Sequence, residues 1–241
     1  DEMDLSTAGV LGKLVFYTIG DRIRVTRSEL EALFESYEIE DRYLPKPIVP
    51  ASIAATVLKG VRAEAAIDGR AYDLRFHVEP KIDGSIEAPL VRTRRRTRAE
   101  REAGGGLQVV PEWDVETVAY AVWDPEYPEE LPTEVDERRV GEFPYEPILE
   151  ETAADFGERC RFYGGPAISQ IVSRILNETM SIRTRPSGGV WLIPVAAMDL
   201  LERLEGLIGV LDAQYVREVP EGKTPSETEF DSIVLVDREK N

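Results

Sequence analysis

PAISQIVSRILNETMSIRTRPSGGVWLIP, residues 166–194, changes period halfway along, and that change decides what kind of fold the chain has. In the first half Ile168, Ile171, Val172, Ile175 and Leu176 recur on one helix face, with Pro166 opening the helix. In the second half SIRTR and VWLIP flank a Pro-Ser-Gly-Gly turn, which predicts a β-hairpin over 181–194. A helix at about 149–162, stopped by Tyr163-Gly164-Gly165, precedes this stretch. A Leu-rich helix at 195–208 (Leu200, Leu201, Leu204, Leu207), closed by Gly209, follows it. Helix, turn, helix and hairpin in that order have the layout of a winged helix. QYVREVP and SIVLVD read as two last strands.

Upstream the period is mostly two. VLGKLVFYTI (10–19) predicts a buried strand, and Thr26-Arg27-Ser28-Glu29 is a capping box for a helix at about 27–38. A short helix is expected from Pro50 to Lys59. Tyr72, Leu74, Phe76 and Val78 alternate with Asp73, Arg75, His77 and Glu79, a half-buried strand, and Asp68-Gly69 before it suits a hairpin turn. Ile86 to Val91, Trp113 to Trp123 and Arg138 to Ile148 read as further strands. The expected fold is therefore α+β. Residues 1–148 form a mostly antiparallel sheet with short helices, and 149–241 form a helix and hairpin domain. One continuous domain is the alternative.

Charge is distributed unevenly. The net charge is -17, yet VRTRRRTRAERE (91–102) holds six arginines against two glutamates, +4, which leaves -21 on the rest. Only six of the 29 basic residues are lysines. An acidic, Lys-poor surface suits a very salty cytoplasm, where the Debye length falls to roughly 3 Å at 1 M salt. A single cysteine, Cys160, and a single histidine, His77, argue against internal disulfides, cysteine zinc sites and His-assisted nucleophiles. No cofactor is expected. With no run of eighteen apolar residues and an acidic N-terminal DEMDLSTAG, neither a membrane span nor a signal peptide is expected, and the location reads as cytoplasmic.

Two constellations point to nucleic acid. The arginine run, with Arg92, Arg94, Arg95, Arg96 and Arg98, reads as a projecting loop or short frayed helix that tracks phosphate. Residues 159–198 carry five arginines against Glu178 alone. There Gln170, Arg174 and Asn177 lie on the polar side of the second helix, where such side chains read base edges. Arg183 and Arg185 alternate onto one face of the hairpin and meet backbone. The same arginines would equally pair with acidic surface on a neighbouring copy.

A third constellation is Glu79-Pro80-Lys81-Ile82-Asp83-Gly84, whose KxDG core resembles the nucleotide-accepting motif of DNA ligases. That chemistry also needs a later lysine pair, and no Lys-x-Lys occurs downstream. Asp83-Gly84 is then a tight turn.

LGKLVFYTI with RSELEALFESYEIEDRYLPKPIVP (11–50), and IRTRPSGGVWLIPVAAMDLLERLEGLI (182–208), resemble an uncharacterised family from tailed viruses, halophilic archaea and other prokaryotes. Its pattern pairs an N-terminal strand, helix and LP-x-x-I-x-P segment with an RPSGGV(Y/W) hairpin, here Arg185 to Pro194. The resemblance implies a viral or provirus setting and no catalytic residue. Such relatives continue into a charged helical region, so this chain reads as a fragment. The expected function is non-enzymatic nucleic-acid binding by a homo-oligomer. A structural or assembly protein is the first alternative, and an enzyme using carboxylates or Lys81 is the second.

Overall fold

The computed structural model describes residues 9–101, 107–179, 181–184, 189–217 and 226–237. In chain order the elements are β1 (Gly9–Thr18), β2 (Arg24–Val25), α1 (Arg27–Ser36), α2 (Pro50–Gly60), β3 (Ala63–Ile67), β4 (Arg70–Phe76), β5 (Glu79–Pro80) and β6 (Ile86–Arg101). They continue as β7 (Leu107–Trp123), β8 (Thr133–Val135), α3 (Glu146–Arg161), β9 (Tyr163–Gly164), α4 (Gly165–Glu178), β10 (Ile182–Arg183), β11 (Gly189–Pro194), α5 (Met198–Gln214) and β12 (Glu229–Asp237). The α+β class is as expected.

The chain divides into two compact units. One joins Asp1–Pro47 to Arg161–Asn241, and the other is Ile48–Cys160. This differs from a boundary at 148. The first strand pairs with β11 and β12, so the N-terminal segment belongs with the C-terminal one.

In the discontinuous unit, a four-stranded antiparallel sheet has the order β10-β11-β1-β12. Leaving aside α1 and the unit inserted after it, β1, α4, β10, β11, α5 and β12, with β1 between β11 and β12, have the connectivity of the ferredoxin-like split β-α-β arrangement. Val15, Trp191 and Ile193 are buried on one face of this sheet. The apolar stripe of α4 (Ile168, Ile171, Val172, Ile175, Leu176) and that of α5 (Leu201, Leu204, Leu207, Ile208, Leu211) are buried as well, and both helices contact β11. The strand β1 is therefore buried on one face only, since Phe16 and Leu11 are exposed. Thr26 caps α1 with the predicted reciprocal bonds to Glu29. The helix α5 runs through Gly209 instead of stopping there, because Leu211 still has core to reach. An interior glycine costs only about 1 kcal/mol. The predicted QYVREVP strand is reduced to one bridge, Val216 with Ile23, and its last three residues lie outside the described ones. The hairpin forms between β10 and β11, while residues 185–188 of its turn are outside the described set.

In the continuous unit the sheet order is β3-β4-β6-β7-β8, with β5 also pairing β6. Leu74, Phe76, Leu90, Ala119 and Trp123 pack beneath Ala54, Val57 and Leu58 of α2 and Leu149 and Phe156 of α3. Asp68 and Gly69 both take positive φ, which closes the β3–β4 hairpin as the sequence predicts. Two expectations fail here. Arg138–Ile148 is no strand. Asp136 caps a 3-10 turn at Glu137–Arg139, Gly141 turns at φ 83°, and α3 starts at Glu146. Nor is the arginine run a loop or helix, because it is the second half of β6.

Candidate nucleic-acid interface

The strands β6 and β7 stay in antiparallel register from Ile86↔Trp123 to Arg101↔Leu107. Their neighbours stop early, since β4 reaches only to Thr93 on β6 and β8 spans only Ala119 to Ala121 on β7. From Arg94 to Arg101 the two strands therefore pair, among the described residues, only with each other. Eight residues at about 3.4 Å each make a two-stranded ribbon about 27 Å long. A β-bulge between Leu90 and Val91 lies just before it, where extra twist re-aims the strands. Along the ribbon the register sets Arg94 opposite Asp114, Arg95 opposite Trp113, Arg96 opposite Glu112, Arg98 opposite Val110 and Arg101 opposite Leu107. In this register two of the five arginines lie opposite acidic residues, and opposite charges at paired positions favour pairing.

Arg92, at the base of the ribbon, has a different environment. It is 8% exposed, and its guanidinium donates to Glu116 at 2.6 and 2.8 Å and to Glu142 at 2.7 Å. Arg139 donates to the same two carboxylates, at 2.9 Å to Glu142. The four side chains close a ring of alternating charge. The Tyr72 ring lies 5.3 Å from the Arg92 guanidinium, and the Tyr145 hydroxyl is 3.4 Å away. Burial by itself disfavours the charged guanidinium, but the bonds to Glu116 and Glu142 outweigh it and raise the Arg92 pKa. Bonds from Arg139 first and Arg92 second hold the Glu142 carboxyl below its ordinary range. Arg92 is thus committed inside its unit and is not a surface cation. The sequence signals none of this, because Glu116 and Glu142 look like ordinary members of an acidic chain.

The polar side of α4 is where spacing places it. Ser169, Gln170, Ser173, Arg174, Asn177 and Glu178 line one shallow groove of about 380 Å³. Ser173 shares a 2.7 Å hydrogen bond with Tyr17 of β1. Arg174 donates to the carbonyls of Arg42, Tyr43 and Leu44 at 3.3–3.4 Å, ending a 3-10 turn at Asp41–Tyr43. Arg42 in turn meets Glu178 at 3.3 Å and the Tyr43 hydroxyl at 2.8 Å. The groove is thus lined by hydroxyls and amides more than by free cations. Spacing gave Gln170, Arg174 and Asn177 correctly as neighbours and missed Tyr17 and Arg42, which come from distant sequence. Arg183 sits on β10 with its guanidinium 5.7 Å from the Trp191 ring, and Arg185 lies outside the described residues.

Two further places bring charged groups together. Lys81 pairs with Glu87 at 2.8 Å and Glu79 at 3.7 Å, and Glu87 is the main reason its ammonium is favoured. The turn after it is tight, with Gly84 at φ 87° and Asp83 accepting from Ser85. A hollow of about 620 Å³ lined by Arg62, Glu64, Asp73, Arg75, Thr93 and Val115 offsets its two arginines with two acids. Among the described residues no group of His, Cys, Asp and Glu is arranged to hold a metal ion. No helix among them is long and apolar enough to cross a membrane.

Fold and ribbon together define an α+β protein carrying a basic two-stranded extension. A family model described as a family of unknown function, DUF6744, matches residues 10–241, and the chain belongs to that family. No curated protein matches the chain, and no solved structure does.

Proposed function

We propose that the protein binds nucleic acid without acting as an enzyme, gripping backbone phosphate with the β6–β7 ribbon. The observation that carries this reading is that Arg94, Arg95, Arg96, Arg98 and Arg101 fall on a strand that outruns the sheet. A two-stranded ribbon fits a major groove, and arginine's planar fork suits phosphate. The polar groove of α4, with Gln170 and Asn177, is a second surface of the right chemistry for base edges. A winged-helix mode is less favoured. There the hairpin rests freely on backbone, whereas β11 is paired with β1 from Gly189 to Pro194. The setting that suits the composition is a saline cytoplasm, in a virus or provirus.

With Arg94 and Arg96 opposite acids, about three arginines remain for phosphate, a salt slope of about -3. Such binding fades in concentrated salt unless several ribbons act together. The test is titration of duplex DNA, duplex RNA and single strands from low to high salt. Wild type should bind at low salt, and Arg95→Ala with Arg98→Ala and Arg101→Ala should flatten the slope. Absence of binding at every salt concentration overturns the reading.

One observation favours assembly as a second reading. A two-stranded hairpin by itself is marginal in water, and β7 brings Leu107, Val109, Val110 and Trp113 into this one. A ribbon that inserts between neighbouring protein subunits would cover them.

A further inference from the structure

We propose that the open face of the four-stranded sheet in the discontinuous unit is a self-association surface, on which a second copy of this chain packs sheet to sheet. The register builds this face row by row. Ile182, Leu192, Leu14 and Ile233 form one aliphatic row straight across β10, β11, β1 and β12. Val190, Phe16 and Asp231 form the next row on one side, and Pro194, Gly12 and Leu235 the row on the other. Val15, Trp191 and Ile193 point the opposite way and are fully covered. Ile182 is 61% exposed, Ile233 55% and Phe16 36%, so among the described residues of this unit nothing covers the face.

Charge identifies the occupant. The three rows hold no lysine or arginine and a single acid, Asp231. Nucleic acid finds no cation here, and a basic protein finds too few carboxylates to steer it. Two copies of a chain at -17 repel each other across most surfaces, but at this face Asp231 is the single charge each copy brings. Four strands at about 4.8 Å and three rows at about 6.8 Å give a patch of about 400 Å². A stable dimer buries about 800 Å² per partner, so the association is weak and concentration-dependent. Salt strengthens it, because salt screens the repulsion and leaves apolar burial intact. An assembly made by arginine–acid pairing has the opposite salt response.

Sedimentation velocity on the full chain, without nucleic acid, over a concentration series up to about 100 μM at low and high salt, tests this. The expected result is a monomer–dimer equilibrium that shifts toward dimer as salt rises. Ile182→Ser with Ile233→Ser, at exposed positions on the two edge strands and adding no charge, should weaken association at least tenfold while the circular dichroism stays unchanged. Carbene footprinting of the wild type reads the same face independently of any variant, with labelling of Phe16, Ile182 and Ile233 falling as concentration rises. A monomer at every concentration and salt overturns the proposal. So does a dimer that dissociates in high salt, or one whose footprint spares these three residues.

Discussion

The two units lay their helices on one face of an antiparallel sheet, and their opposite faces are finished differently. In the continuous unit that face carries Glu64, Asp73, Arg75 and Glu87 among Tyr120 and Val122, the mixture expected of a sheet that ends in water. In the discontinuous unit the equivalent face is crossed by an unbroken aliphatic row and holds one acid, Asp231, in the rows described. Arginine use differs as well. In the first case a ring of two arginines and two glutamates, with Arg92 buried and both carboxylates partly exposed, closes the core at the ribbon's base, while in the second Arg174 and Arg42 tie a helix to a neighbouring turn. One strand, β6, shows both uses of arginine within three residues, since Arg92 is locked inward and Arg94 begins the ribbon. Both lie opposite an acid, Glu116 and Asp114, so the difference is burial: Arg92 is covered and also held by Glu142.

That contrast breaks most sharply at Arg92. Arg92→Ala leaves Glu116 and Glu142 sharing only Arg139; because both carboxylates are partly exposed to water, the loss should be about 1.5–3 kcal/mol. Arg94→Ala, two residues on, should change stability by no more than about 0.5 kcal/mol. Equal losses from the two variants in urea unfolding would erase the distinction between ring and ribbon. In the discontinuous unit the most sensitive backbone point is Gly12 at the β1 bulge, at φ 152°. A Cβ there would sit 2.1 Å from the Ile193 carbonyl oxygen, so Gly12→Ala should cost about 1–3 kcal/mol. A neutral result would mean that β1 and β11 can slide apart without loss.

Local chemistry was legible in the sequence where the signal is local. The Thr26 cap, the Asp68-Gly69 turn, Pro50 opening α2 and the α4 stripe all stand where spacing puts them. Two kinds of feature were not legible. A run of arginines reports on solvent and says little about backbone, and the strand from Arg94 to Arg101 exists because β7 supplies sixteen partners for β6. Likewise Val140, Phe143 and Ile148 suggest a strand, but Gly141 and Pro144 between them bend the chain into a turn. Long-range pairing was the larger gap. β1 finds β11 and β12 across more than 170 residues, and Arg174 finds its carbonyls 130 residues away. Periodicity carries no information about such partners.

A smaller effect tests the ring by pH. Glu142 is held below its ordinary pKa by Arg139 and Arg92, so folding favours its ionised form. The stability this contributes is complete above the unfolded carboxyl pKa, about 4.3, and is lost as pH falls through the lower folded value. Glu142→Gln should therefore lower stability at pH 7 and flatten its acid dependence below about pH 4.3. Parallel acid limbs for wild type and variant in pH-dependent thermal melts would show that the ring does not hold this carboxyl.

The smallest expected change is at Lys81. Its ammonium pairs with Glu87 and Glu79 on the surface, in the arrangement of a solvated hairpin end. A lysine that attacks a nucleotide phosphate must first give up its proton, and both carboxylates oppose that. Lys81→Ala should leave the unfolding midpoint, the sedimentation behaviour and any nucleic-acid titration where they were. It should also leave nothing to lose when the protein is incubated with labelled ATP or GTP and a divalent cation. Label retained by wild-type protein through denaturation, and absent from the variant, would turn the surface pair into a reactive centre. The nucleic-acid reading would then give way to a nucleotidyl-transfer enzyme, with the ribbon as its substrate arm.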